Sequence, residues 1–185
     1  MRTTRTAFPV FIILAAIAGI PAAAGAQGDD TTYTKPAQQE FTRISGLILR
    51  TAEKVPEDLY SFKPAPEVRS MGALLGHVAD DHFFLCRVAA GESPKYEPFY
   101  EKKTSKAEIV AALKESNAFC AGVFAKMNDT SGKVPATAFG GTMPRLSWLS
   151  TNTGHSQEHY GNLVTYMRLK NIVPPSSEKK PGASQ

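Results

Sequence analysis

The chain has 185 residues, with 21 Lys and Arg against 17 Asp and Glu, a formal charge of +4, and 42% apolar residues, a composition that suits one domain around one core. Its basic residues are scattered singly or in pairs rather than gathered into a stripe with interleaved aromatics, which excludes nucleic acid as an expected partner. No internal repeat is visible.

The N-terminus reads as an export signal. Arg2 and Arg5 precede the apolar run "AFPVFIILAAIAGI", and the small-residue segment "PAAAGAQ" follows. That order predicts a secretory signal peptide over residues 1–26, cleaved after Ala26. The apolar run is short for a membrane span and Pro21 interrupts it, so no stable membrane anchor is expected after cleavage. Losing Arg2 and Arg5 from the 21 basic residues leaves 19 against 17 acidic ones. The mature chain is therefore nearly balanced, and a secreted or periplasmic location is expected. Residues 27–36 and the tail from Pro174 to Gln185 ("PPSSEKKPGASQ") are rich in Gly, Pro, Ser and charge, and both read as flexible.

Between them apolar residues recur at spacings of three and four, the period of a helix. The first predicted helix spans 37–54, with Phe41, Ile44, Leu47 and Ile48 on one stripe and Pro56 beyond its end. The second starts after Ser70, a good N-cap, and carries Leu74, Leu75, Val78, Phe84, Leu85 and Val88 up to Gly91. The third starts after Ser105, which forms a capping-box pattern with Glu108, and carries Ile109, Leu113, Cys120, Val123 and Phe124. The fourth spans 146–170. The connections lack the alternating β-branched residues of a sheet, so the expected architecture is an all-α four-helix bundle over 37–173. Its three loops are long for a bundle. At least one is expected to cross over, and the Gly140-Gly141 loop and the Tyr96 to Tyr100 segment are candidate walls of a site.

The chain has four histidines. His155 and His159, at i and i+4 in "GHSQEHY", share one helix face and can converge on one ion. His77 lies on the apolar stripe of another helix. Three neutral imidazoles would leave an open coordination position, the pattern of a catalytic rather than a closed structural zinc site. The same pattern also fits hydrogen-bonded core or surface histidines. His82, five residues after His77, points about 140° away around the helix and reads as a packing or surface residue. Asp81, at i+4 from His77, is either an acceptor behind a ligating imidazole, an extra ligand, or part of a solvated face. Glu158 is the nearest carboxylate in sequence to the histidine pair and a weak candidate for a general base.

"MGALLGHVADDHFFLC" followed by "FGGTMPRLSWLSTNTGHSQEHYGNLVTYMRLKNIVPPSS" resembles the DinB-like (YfiT-like) family, over residues 41–177. The resemblance implies a bundle of up-down-down-up topology, often dimeric, so that a homodimer is one expected assembly, and a divalent metal site at His77, His155 and His159. Zinc and nickel both suit imidazole, and the identity stays open. Some members use a small thiol such as mycothiol, bacillithiol or glutathione, which implies thiol-dependent transferase-type chemistry on an unknown small molecule. Hydrolysis, or metal binding without turnover, remains an alternative, and export sits poorly with a cytoplasmic thiol. The implied topology also bears on the two cysteines. With the second and third helices parallel, Cys86, 16 residues past Ser70, and Cys120, 15 past Ser105, lie at nearly the same height. A disulfide between them, or two buried free thiols, is then expected.

Overall fold

A computed structural model describes residues 30–179; the predicted signal peptide lies outside the described residues. Four long helices form the frame: α1 Thr34–Lys54, α2 Met71–Ala90, α3 Lys106–Ala125 and α5 Arg145–Leu169. A single turn, α4 Asp129–Gly132, and a hairpin of β1 Pro135–Ala138 and β2 Gly141–Pro144 precede α5. No described helix is long and apolar enough to cross a membrane.

The helix starts follow local chemistry. The Ser70 side chain accepts from Ala73 N at the start of α2, and Ser105 accepts from Glu108 N at the start of α3, each satisfying a donor that has no partner within the helix. The reciprocal half of the expected capping box is replaced by an ion pair, Glu108 to Lys103, at 2.9 Å. Gly91 ends α2 in the left-handed conformation at φ 93°, a backbone state glycine reaches without a Cβ clash.

Cross-helix contacts fix the directions. Ser45 O faces Asn117 Nδ2 while Glu53 pairs with Lys114, so α1 and α3 are antiparallel. His82 meets Ser156 and Asn152 approaches Cys86, so α2 and α5 are antiparallel. His82 meets Asn117, and Cys86 and Cys120 are joined by a disulfide with their Cα atoms 5.4 Å apart, so α2 and α3 run side by side in the same direction. The bundle is up-down-down-up, and residues 91–105 make the crossover. Ile44, Ile48, Leu75, Val78, Leu113, Leu163 and Met167 fill one half of the core, and Phe41, Phe84, Phe124, Trp148 and Leu149 fill the other.

Three sequence expectations change. Helix α1 begins three residues early because Asp129 caps it from a distant part of the chain. Its carboxylate accepts from Tyr33 N, from Thr34 N at 2.8 Å and from Thr34 Oγ1 at 2.7 Å, which ties Tyr33 and Thr34 to the turn before the hairpin. The tail is likewise seated through Lys179: Pro175 is buried, Ser176 N donates to Tyr160 Oη, and Glu178 pairs with Lys54 at 2.6 Å. Low apolar content does not prevent a segment from docking on surface its neighbours have already built. The third change is the hairpin, which forms without β-branched alternation because its turn dictates it. Phe139 and Gly140 both have positive φ, 49° and 75°, the backbone of a two-residue hairpin turn.

Candidate metal centre

His77 lies in the second turn of α2, and α5 lays His155 and His159 against it. One ligand atom from each of the three lies within 4.8 Å of the others. The rings of His155 and His159 are 4.2 Å apart, and each lies about 5 Å from that of His77. His155 Nε2 and His159 Nε2 face each other at 2.8 Å. Burial pushes His159 down to about 4, with the neighbouring His155 and His77 adding to it. Burial also lowers His155, against the attraction of Asp81. Both therefore present neutral lone pairs near neutral pH, the state a metal requires.

Asp81 lies beside the three rings, one helical turn beyond His77. Its Oδ2 is 2.9 Å from His77 Nε2 and 3.3 Å from His155 Nδ1. No donor is aligned on it, however, and both Asp81 Oδ2 and His155 Nδ1 are buried without a hydrogen-bond partner. Burial works against the Asp81 anion, but the adjacent His77 and His155 outweigh it and hold the carboxyl below its ordinary range. A buried carboxylate oxygen and a buried imidazole nitrogen without partners, beside the other imidazole nitrogens, form an environment that a cation would satisfy.

The crossover supplies the remaining wall. Tyr96 Oη is 3.3 Å from His77 Nδ1. Burial and then the Asp81 charge push the Tyr96 hydroxyl pKa upward, keeping it protonated. Glu101 Oε2 is 3.1 Å from His77 Nδ1, and Glu101 Oε1 accepts from Arg69 Nε at 2.8 Å. The Tyr96 end of the expected segment thus reaches the histidines. The hairpin reaches them only indirectly, through Phe139, which packs 6.1 Å from Tyr96 and 4.9 Å from Phe84.

His82 is not in this group. It is fully buried across α2, α3 and α5, meeting Asn117 Oδ1 at 3.0 Å and Ser156 Oγ at 2.9 Å, with its ring edge-on to Phe41. Glu158 is on the exposed side of α5. The carboxylates beside the cluster are Asp81 and Glu101. Glu101 and Arg69 were not singled out from sequence, and only the fold brings them to His77, 24 and 8 residues away. Asp80 and Gly76 carried a faint local signal: they flank His77 on α2 at a spacing of four, which puts both on the face that meets the crossover.

Residues 40–163 match the DinB superfamily. The chain belongs to that superfamily. Among solved structures, a DinB-like protein from Bacillus cereus ATCC 10987 is similar with a TM-score of 0.67 at 17% identity, over 76% of this chain and 95% of that one. A DinB-like protein from Bacillus subtilis, YjoA, is similar with a TM-score of 0.60 at 18% identity, over 78% and 99%. A mycothiol-dependent maleylpyruvate isomerase is similar with a TM-score of 0.58 at 14% identity, over 72% of this DinB chain and 65% of the isomerase. At these identities the likeness concerns the fold. No curated protein matches the sequence.

Proposed function

We propose that this DinB-superfamily chain is an exported metal-dependent enzyme that holds one divalent ion with His77, His155 and His159, and that its chemistry is of the thiol-dependent transferase type. The observation that carries the reading is the convergence of three imidazoles from two helices on one point, beside a carboxylate oxygen that no donor satisfies. Zinc or nickel suits the donor set. Export is supported by the charged, apolar and small-residue order of residues 1–26 and by a disulfide of the kind that persists in oxidising compartments.

When bound, the ion would supply a Lewis acid that lowers the pKa of a thiol or water. The chain's own groups do the rest. Neutral His155 and His159 offer lone pairs. Asp81 holds negative charge at the edge of the cluster and is placed to take up a proton there. Tyr96 stays protonated and can donate to an acceptor in the site. The fold likeness to a mycothiol-dependent isomerase supports thiol use. Hydrolysis is the second reading, favoured by the unpaired Asp81 oxygen, a potential general base beside the histidines.

Metal analysis of the mature protein and its single alanine variants tests the site. One ion per chain is expected, lost in His77→Ala, His155→Ala and His159→Ala and kept in His82→Ala. Retention in His155→Ala or His159→Ala would overturn it. A screen of metal-loaded protein with mycothiol, bacillithiol, glutathione and simple esters then separates the two chemistries.

A further inference from the structure

The crossover between α2 and α3 does more than change direction. Residues Tyr100–Lys102 form a 3-10 turn lying on α2, and the Asp80 carboxylate accepts from three consecutive amides there: Phe99 N at 3.1 Å, Tyr100 N at 2.9 Å and Glu101 N at 2.9 Å. Asp80 is buried, and α2 supplies no other partner for those amides. One turn earlier, Gly76 lets the strap approach so closely that a Cβ there would collide with the backbone carbonyl of Tyr100. Backbone cannot yield as a flexible side chain could.

This strap sets the position of Glu101. One carboxylate oxygen accepts from Arg69 Nε at 2.8 Å and the other lies 3.1 Å from His77 Nδ1. The Glu101 side chain is 25% exposed, so most of it is held against the protein. Arg69 is placed in turn by its backbone carbonyl, which accepts from Tyr166 Oη on α5. The other nitrogen of the His77 ring, Nε2, faces the unsatisfied Asp81 Oδ2 at 2.9 Å.

We infer that Glu101 is a positioning residue for the metal centre: held by Arg69 and by the Asp80-anchored strap, its carboxylate charge 3.1 Å from His77 Nδ1 favours the proton on that nitrogen and so leaves Nε2 as that ring's ligating nitrogen. The inference rests on the metal reading above. An imidazole binds metal through one nitrogen, and the hydrogen bond made by the other fixes both tautomer and ring orientation. Without the strap His77 would have Asp81 as its only near carboxylate, and the proton would go to Nε2, the nitrogen facing the cluster. Placing a carboxylate on the far side reverses that preference. The same crossover carries Tyr96, whose hydroxyl lies 3.3 Å from that same Nδ1 and adds a second polar group on the far side of the ring.

The test uses cobalt(II) titration of the mature protein, monitored by absorption with a competing chelator, together with long-range nitrogen-proton NMR of the His77 ring. Glu101→Ala is expected to weaken cobalt binding by about 10- to 100-fold and to abolish the pure Nδ1–H signature. Glu101→Gln, which keeps an acceptor, is expected to recover much of both. Asp80→Ala touches no histidine, yet it should weaken binding in the same direction because it frees the strap. Circular dichroism and thermal unfolding of each variant separate these effects from loss of fold. Cobalt binding within twofold of wild type in Glu101→Ala, with the His77 tautomer unchanged, overturns the inference. Failure of the wild-type protein to bind cobalt, or full binding by His159→Ala, defeats the metal reading itself and this inference with it.

Discussion

Cys86 and Cys120, 34 residues apart, are bonded across α2 and α3, with Asn152 of α5 offering its amide to both sulfurs at 3.4 and 3.7 Å. One covalent link and one side chain thus tie three helices together. The bond closes the loop that contains the crossover strap, so it restricts the unfolded chain around that connection.

Reducing that bond is expected to lower unfolding stability by roughly 3 to 4 kcal/mol, the scale for closing a loop of this length. Denaturant titration with and without a thiol reductant measures it, and the Cys86→Ala/Cys120→Ala protein should match the reduced form. Thiol titration of unfolded, unreduced protein should find no reactive group. Two reactive thiols per chain would contradict the bond.

His82 makes stability depend on pH. Burial holds it at about 4, against an ordinary value of 6.5, so between those values the unfolded chain binds the proton and the folded chain does not. Stability therefore rises with pH through this window and is lost as pH falls from 6.5 toward 4, by up to about 3 kcal/mol for this one group. Its direct partners, Asn117, Ser156 and Phe41, are uncharged, and burial outweighs the opposing pull of Asn117 and of the Asp81 charge. Denaturant midpoints of the metal-free protein from pH 7.5 to 4.5 should show the slope, to which His155 and His159 also contribute, and His82→Asn should reduce it. An equal slope in the variant would reject the assignment.

Helices and the histidine pair were legible in the sequence because their signals are local. Ser70 and Ser105 cap the turns that follow them, the apolar stripes follow the helical period, and His155 and His159 sit at a spacing that forces a shared face. What stayed hidden depends on contacts between distant residues. Asp129 caps a helix that starts 95 positions earlier, and nothing near Thr34 announces it. Glu101 reaches His77 only because the strap is pinned by Asp80, and a carboxylate in "YEKKT" looks like any solvated one. Glu158 shows the limit of proximity in sequence: it is next to His159 in the chain but is exposed on α5. The hairpin escaped because its turn uses Phe139 at positive φ, where an aromatic is rare.

Two carboxylates allow position in sequence to be separated from position in space. Asp81→Asn should weaken divalent metal binding by about 10-fold or more, because it removes the anion beside His77 and His155 while nearly keeping its shape. Glu158→Ala should leave affinity within about twofold, as expected for an exposed charge screened by solvent. Chelator competition on both variants decides the matter. The reverse order would move the important carboxylate to the outer face of α5.

Metal should also stabilise the fold, because the three histidines converge only in the folded chain. The pair on α5 is fixed locally by helix spacing, whereas His77 arrives through packing of α2 against α5, so an ion held by all three links the two helices. At an ion concentration 100 times the dissociation constant, the added stability is about 2.7 kcal/mol. Thermal or denaturant unfolding with chelator and with added zinc should differ by that amount in wild type, and the difference should vanish in His77→Ala even though the α5 pair is intact. If the increment survives in His77→Ala, the ion is held by the HxxxH pair alone, and the two helices are not linked through it.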